Sequence, residues 1–347
     1  MRKHPFLTYY VLAWIIAGIV TVIGETWGAK SPAADPMSYW HFAQSHHMVM
    51  NAISIAYFGF TTGGPFVFLV FFFGGAPSIS ALVTSAVAWG KPGLMRLLSR
   101  FKPWRRGVTA REAWRVYGTL LYVYLLVFGF FIWHTATYGT SENKEHVWSA
   151  LGSSIAFAIP ILLLSLFADE GGSFEELGWR GFGLPYLQQR FRVPLVAAVV
   201  LGVLWWGWHL PRELPLIISG HSWPSGEALH WGPWLLGEAK FLSYTIVLSI
   251  VIAYCFNLTG GSVWPAIFIH GGSDAWGKSG AQTAFFTQAH WPIAINEAIL
   301  AAFVVPILIF AGPRLGFRAD ADGIDPTLEA PPAATPEPLT RAATSRA

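Results

Sequence analysis

The run VYGTLLYVYLLVFGFFIW, Val116 to Trp133, contains no Asp, Glu, Lys, Arg or His. At about 1.5 Å per residue an α-helix of this length reaches roughly 27 Å, close to the ~30 Å hydrocarbon core of a bilayer. A second run without charge, Trp148–Phe167, follows it. These two segments decide the class: the chain spans a membrane more than once.

Composition agrees. Only 12% of the 347 residues are charged and 54% are hydrophobic, whereas a soluble domain carries roughly 25% charge. The 18 Trp and 26 Phe suit a protein whose aromatic rings sit at membrane interfaces. The single Cys255 excludes an internal disulfide and any multi-cysteine zinc site.

Working outward from Val116, the preceding stretch Lys91–Arg115 holds eight basic residues: Lys91, Arg96, Arg100, Lys102, Arg105, Arg106, Arg111 and Arg115. The bias of Lys and Arg toward the inner side of a membrane predicts a cytoplasmic loop here, with the N-terminus on the same side. The loop holds Trp104 and Trp114 as well, but its place between spans favours anionic lipid headgroups over nucleic acid. Phe6–Gly24 reads as a retained first helix, because it is longer than a signal-peptide core and no small-residue cleavage site follows. Phe66–Trp89 reads as a span with a break near Pro77, and Met48–Phe60 as an interfacial or re-entrant piece.

Downstream, Phe174–Phe191 reads as a mixed helix and Val193–Trp208 as an apolar one that ends at His209. Leu210–Lys240, rich in Pro, Gly, Trp and His, reads as a loop. Phe241–Phe256, Ser262–Gly277 and Ile293–Ala311 complete the membrane part. The expected organisation is N-terminal helices and basic loop over 1–115, a membrane core over 116–315, and a disordered Pro- and Ala-rich tail over 316–347.

Chemistry concentrates in Ser173-Phe174-Glu175-Glu176-Leu177-Gly178-Trp179-Arg180. Ionisable groups at membrane depth cost at least about 2.5–3.5 kcal/mol each, so three within six residues need a reason. A structural one exists for two of them. Ser173 and Glu176 have the spacing of a capping box, and Glu176 pairs with Arg180 at i,i+4. Glu175, about 100° round the helix, has no partner in its own turn.

The next two helices supply candidates. Phe174–Phe191 and Val193–Trp208 form a hairpin about Arg190-Phe191-Arg192-Val193-Pro194. Counted from residue 192, Glu175 and His209 stand equally far back along the two arms and come level, so they can face each other if neither helix breaks, a condition that Gly181, Gly183 and Pro185 make a real one. His270 and Asp274 are i,i+4 on a later helix and share a face. A lone histidine on an apolar helix is commonly a packing residue, but a neighbouring carboxylate that can orient the ring favours a working role. Glutamate in an apolar site can act as general base on water, while imidazole N–H groups stabilise an oxyanion. The same Glu175, His209 and His270 could instead hold one zinc ion with an open water position. The sequence contains no His-Glu-x-x-His helix, convincing serine-nucleophile setting or Gly-rich phosphate loop.

The three segments together resemble the CPBP family of intramembrane proteases, which includes the CAAX-processing Rce1 enzymes and the bacterial Abi and bacteriocin-immunity proteins. The likeness rests on Glu175-Glu176 followed by Arg180 and the run Gly178-Trp179-Arg180-Gly181-Phe182, on Trp205 and His209 (the family has Phe at the first), and on His270 with Asp274. It covers about Trp148–Leu315. It implies an all-α polytopic helical bundle of about eight transmembrane helices around a polar cavity. It further implies an endopeptidase whose site is Glu175, Glu176, Arg180, His209, His270 and Asp274, with Glu175 as base, His209 beside it, and His270 with residue 274 at the oxyanion. Asp where the family often has Asn means that residue 274 is protonated, orients His270 or helps to bind a metal. The family is often described as metalloproteases. Membrane lipids and a membrane-associated peptide or protein are the expected partners, and a bacterial plasma membrane the expected location. A transporter, an immunity factor or a scaffold retaining the fold is the rival reading, since each also keeps buried Glu, Arg and His.

Overall fold

The computed structural model describes residues 3–28, 42, 45–46, 52–62, 66–105, 107–138, 166–221, 228–278 and 294–318. The elements are α1 (Pro5–Gly28), α2 (Ala52–Thr62), α3 (Phe66–Leu98), α4 (Ala110–Tyr138), α5 (Glu170–Glu176), a π-helix (Leu177–Gly183), α6 (Leu184–Phe191), α7 (Pro194–Ser219), α8 (Trp231–Leu258), α9 (Trp264–Lys278) and α10 (Ala294–Ala311). Among the described residues no strand occurs; His221 and Ala228 form an isolated antiparallel bridge. The expected span Trp148–Phe167 lies outside the described residues except for Leu166 and Phe167, and so does the tail from residue 319.

The helices present apolar side chains outward. On α1, Tyr9, Ala13 and Ala17 are fully buried, while Leu7, Val11, Ile15, Ile19 and Val22 form a stripe on the opposite face, each 45–62% exposed. Water would penalise such a stripe; lipid accepts it. Four helices among the described residues are long and apolar enough to cross a bilayer: Pro5–Gly24, Val70–Phe101, Pro194–Ser219 and Trp231–Leu258. The protein is an all-α, polytopic, integral membrane bundle.

Several boundaries differ from the sequence reading. Helix α3 runs through Pro77 and leaves helical geometry at Gly90 instead (φ 65°, ψ −156°), a backbone region that glycine enters without a Cβ penalty. Pro77 is tolerated where its backbone lies against Gly178, and the Gly178 N–H donates to Ser78 Oγ at 3.2 Å. Helix α7 continues past His209 through Pro211 and Pro215 to Ser219, and α8 begins at Trp231. The predicted loop Leu210–Lys240 is therefore helical at both ends.

The hairpin between α6 and α7 is tight. Arg192 adopts a left-handed conformation (φ 57°) and its N–H caps α6 on Gln188 O, Val193 is extended, and Pro194 opens α7. Proline suits a first helical position because its missing N–H would have no partner there.

The basic connection after α3 is docked rather than loose. Arg100, 2% exposed, donates to Gly261 O and lies over the Phe256 ring. Val263 N–H donates to Arg100 O, Arg105 N–H to Thr259 O, and Trp264 Nε1–H to Phe101 O. These bonds tie the end of α3 to the α8–α9 turn. As a result α5 and the π-helix are held between α3 and α9, with α7 alongside.

Candidate functional site

Helix α5 is capped by Asp169, not by Ser173. The Asp169 carboxylate accepts from Gly172 N–H at 2.6 Å, and Ser173 Oγ donates backward to Phe167 O. The expected capping box of Ser173 and Glu176 is therefore absent. Its failure has a simple cause: the helix begins one turn earlier, so Ser173 is already helical.

This start places the two glutamates on different neighbours. Glu176, fully buried, accepts from Arg180 at 2.6 Å and from His270 Nδ1 at 2.8 Å, both on Oε1. Arg180 also donates to Ser249 Oγ at 2.9 Å and stacks on the Trp205 ring at 4.6 Å. The Glu176–Arg180 pair expected from i,i+4 spacing is present, with His270 added from α9.

Glu175, 6% exposed, accepts from two indoles: Trp205 Nε1–H at 2.8 Å and Trp179 Nε1–H at 3.2 Å. Both bonds fall on Oε2, and Oε1 has no protein donor among the described residues.

His209 lies among rings. Its Nδ1 meets Trp205 O at 2.9 Å, and Trp208 and Phe241 pack edge-on at 4.6 and 4.9 Å. A carbonyl can only accept, so Nδ1 carries the proton and donates. Glu175 and His209 form no hydrogen bond with each other but share a neighbour, Trp205. Trp205 stands between them, its indole N–H on Glu175 and its carbonyl on His209, while its ring meets the His270 ring at 4.9 Å. Trp205 and Trp179 are the residues that sequence reasoning undervalued. Their i+4 spacing to His209 and from Glu175 was the available signal.

His270 and Asp274 share a face of α9 as their spacing implies, with Nε2 and Oδ2 3.7 Å apart. The expected zinc set does not converge. One oxygen of Glu175 is held by two indoles and Nδ1 of His209 by a carbonyl. The described His, Cys, Asp and Glu residues whose ligand atoms come together, all within 4.8 Å of one another, are Asp169, His270 and Asp274. Glu175, Glu176, Arg180, His209, His270 and Asp274 thus occupy one buried region, but as two linked clusters. One is built on Trp205, and the other on Glu176, His270 and Asp274.

A buried cluster of two carboxylates, two histidines and an arginine inside an all-α membrane bundle marks a candidate site for polar chemistry away from bulk water. Comparison with known proteins gives a match over part of the chain. Residues 155–276 match the family described as type II CAAX prenyl endopeptidase Rce1-like. The chain is similar to CAAX prenyl protease 2 of Methanococcus maripaludis, 42% identical over 112 residues. The alignment covers 32% of this chain and 37% of that relative's length, so the chain spans little more than a third of it. No solved structure matches.

Proposed function

We propose that the chain is an intramembrane endopeptidase that hydrolyses a peptide bond at or within the bilayer. The observation that carries this reading is Glu175: a buried carboxylate with one oxygen fixed by two indole N–H groups and the other without a protein donor among the described residues. Such a group can take a proton from water at a defined position. The match to the Rce1-like family and the similarity to a CAAX prenyl protease support the same reading.

In this mechanism the Oε1 atom of Glu175 removes a proton from water as the oxygen adds to the substrate carbonyl carbon. The carbon–nitrogen bond then breaks, and the proton passes to the leaving amine. Trp179 and Trp205 hold the carboxylate in place. His209 spends its Nδ1–H on Trp205 O, so its Nε2 side is left to order the water. His270, with Nδ1–H on Glu176, turns its Nε2 side toward Asp274, and its ring is the group that faces the developing oxyanion. Glu176 and Arg180 position His270 and do not meet the substrate.

The substrate class we propose is a membrane-anchored peptide tail, a prenylated CAAX terminus being the first to try. Anionic lipid is the proposed neighbour of the basic connection after α3, on the cytoplasmic face of a bacterial plasma membrane. The test is cleavage of prenylated and unprenylated peptides by the purified chain in lipid, comparing wild type with Glu175→Gln and His209→Ala. Loss of cleavage in Glu175→Gln with an unchanged melting temperature is expected. Cleavage that survives both substitutions would overturn the assignment.

A further inference from the structure

Helix α7 carries a cation just beyond the histidine that the proposed mechanism uses. Arg212 follows His209 by three positions, so it stands on nearly the same face, about 4.5 Å further along the axis. The Phe241 ring of α8 meets both side chains. His209 packs edge-on against it at 4.9 Å between ring centres, and the Arg212 guanidinium lies over it at 5.2 Å. Through the shared ring, the guanidinium carbon is at most about 10 Å from the centre of the His209 ring.

Local pairing does not account for this cation. Its Nε–H donates to Glu213 at 2.9 Å. The two residues are adjacent in sequence, and neighbours at i,i+1 do not face each other on a helix. Their side chains are 46% and 20% exposed, and an exposed pair of this kind adds little stability. Glu238, the acid that the facing stretch of α8 supplies, accepts from Trp206 Nε1–H at 2.8 Å instead.

The pair with Glu213 engages Nε alone. The two terminal NH2 groups of Arg212 make no hydrogen bond among the described residues. They form a planar fork on an exposed side chain beside the buried site.

Such a fork matches the two oxygens of a carboxylate. Its distance from His209 matches a short length of peptide. Extended chain advances about 3.3–3.6 Å per residue, so two or three residues cover the gap. A peptide cut beside His209 two or three residues from its end brings its terminal carboxylate to Arg212.

We propose that Arg212 binds the free α-carboxylate at the C-terminus of the substrate and so selects peptide ends over internal segments. The inference deepens the hydrolase reading and rests on it. Arg212 holds the end of the tail while the bond to be cut lies beside His209 and Glu175. An internal segment or an amidated end offers no such charge. Glu213 competes with the incoming carboxylate for the guanidinium.

The test uses the full chain in phosphatidylcholine nanodiscs and a prenylated tail peptide with an N-terminal fluorophore. The peptide is made with a free C-terminal acid or with a C-terminal amide. Binding is read by anisotropy in the Glu175→Gln chain, where no turnover is required, so failure of the hydrolase reading and failure of this one are distinguishable. The acid is expected to bind roughly 10- to 100-fold tighter than the amide. Adding Arg212→Gln should collapse that ratio to near one. Adding Glu213→Gln instead removes the competing carboxylate and should raise the ratio by up to about 5-fold. In cleavage by the chain with Glu175 intact, amidation should raise KM with little change in kcat. Absence of binding by either peptide, a ratio near one with Arg212 present, or a ratio that survives Arg212→Gln overturns the proposal. So does an equal loss of the ratio in Arg212→Gln and Glu213→Gln, which would make the pair a structural element. Weakening of acid and amide alike by Arg212→Gln, confined to nanodiscs with added anionic lipid, assigns the guanidinium to headgroups and overturns it as well.

Discussion

His270 donates its Nδ1–H to Glu176 across 2.8 Å, joining α9 to α5 over a separation of 94 residues. The same Glu176 oxygen takes the Arg180 guanidinium. One carboxylate therefore anchors two helices and neutralises a fully buried cation. Adjacent Glu175 makes neither contact. Two neighbouring glutamates, identical in chemistry, have different jobs because their side chains leave the helix about 100° apart.

The first prediction separates those jobs. Glu176→Gln leaves Arg180 buried without its counter-charge, which costs about 3–5 kcal/mol. Thermal melting in detergent should show a large drop. Glu175→Gln keeps a carbonyl oxygen for both indoles and should cost under ~1 kcal/mol, while peptide cleavage falls by about 10²–10⁴. Equal destabilisation by the two substitutions would contradict this division.

What the sequence allowed, and where it stopped, follows from the range of each interaction. The Glu176–Arg180 and His270–Asp274 pairs are contacts within one turn, so helical spacing was enough to find them. The tight turn at Arg192 was signalled by Pro194. The placement of Glu175 against His209 depended on whether the helix between them stays regular, which counting residues does not decide. Seven residues, Leu177–Gly183, are π-helical, and their wider turns change both the advance and the direction of every side chain before them. Trp205 links Glu175 and His209, with its indole N–H on the former and its carbonyl on the latter. Asp169 escaped notice because nothing local marks it. Its cap role depended on where α5 starts, and its partners lie on α9.

A second prediction concerns Trp205. Trp205→Phe keeps a ring against His270 and Arg180 but removes the N–H that holds Glu175. The fold should lose about 1 kcal/mol, the net worth of one hydrogen bond. Turnover should fall roughly 10-fold with little change in KM, since the residue positions the base and does not bind the substrate. A rise in KM at constant kcat would assign Trp205 to substrate binding instead.

The close helix contacts give a third. A Cβ at Gly178 would collide with the Pro77 backbone, and one at Gly202 would lie 2.6 Å from Ile246 Cα. Neither backbone can yield as a side chain could. Gly178→Ala and Gly202→Ala should each cost about 1–3 kcal/mol by forcing helices apart. Gly118, with nothing within 4 Å, is the control. There alanine only improves helix propensity, and stability should be unchanged or rise by up to ~1 kcal/mol. Melting temperatures of the three variants in one detergent decide the matter.

The last prediction lies outside the membrane, where α4 begins. Thr109 N–H and Oγ1 both meet Glu112 Oε2 at 2.8 Å, and Glu112 N–H returns to Thr109 Oγ1, which is a capping box. Arg318, beyond α10, completes the group by donating to Glu112 Oε1 at 2.7 Å. The Thr109 backbone N–H first, and the Arg318 guanidinium next, hold the Glu112 carboxyl down to about 2 from its ordinary 4.5. A value lower in the folded state means the contact favours folding at any pH above about 4.5. That contribution disappears as pH falls from there through 2. The segment ending at Arg318 should therefore loosen from α4 over that window. Amide hydrogen exchange at residues 315–318 should quicken as pH falls, beyond the change intrinsic to the exchange chemistry. Glu112→Gln should show the fast, loosened behaviour already at pH 7 and lose the dependence. An equal pH response in wild type and Glu112→Gln would mean that a different group holds this segment.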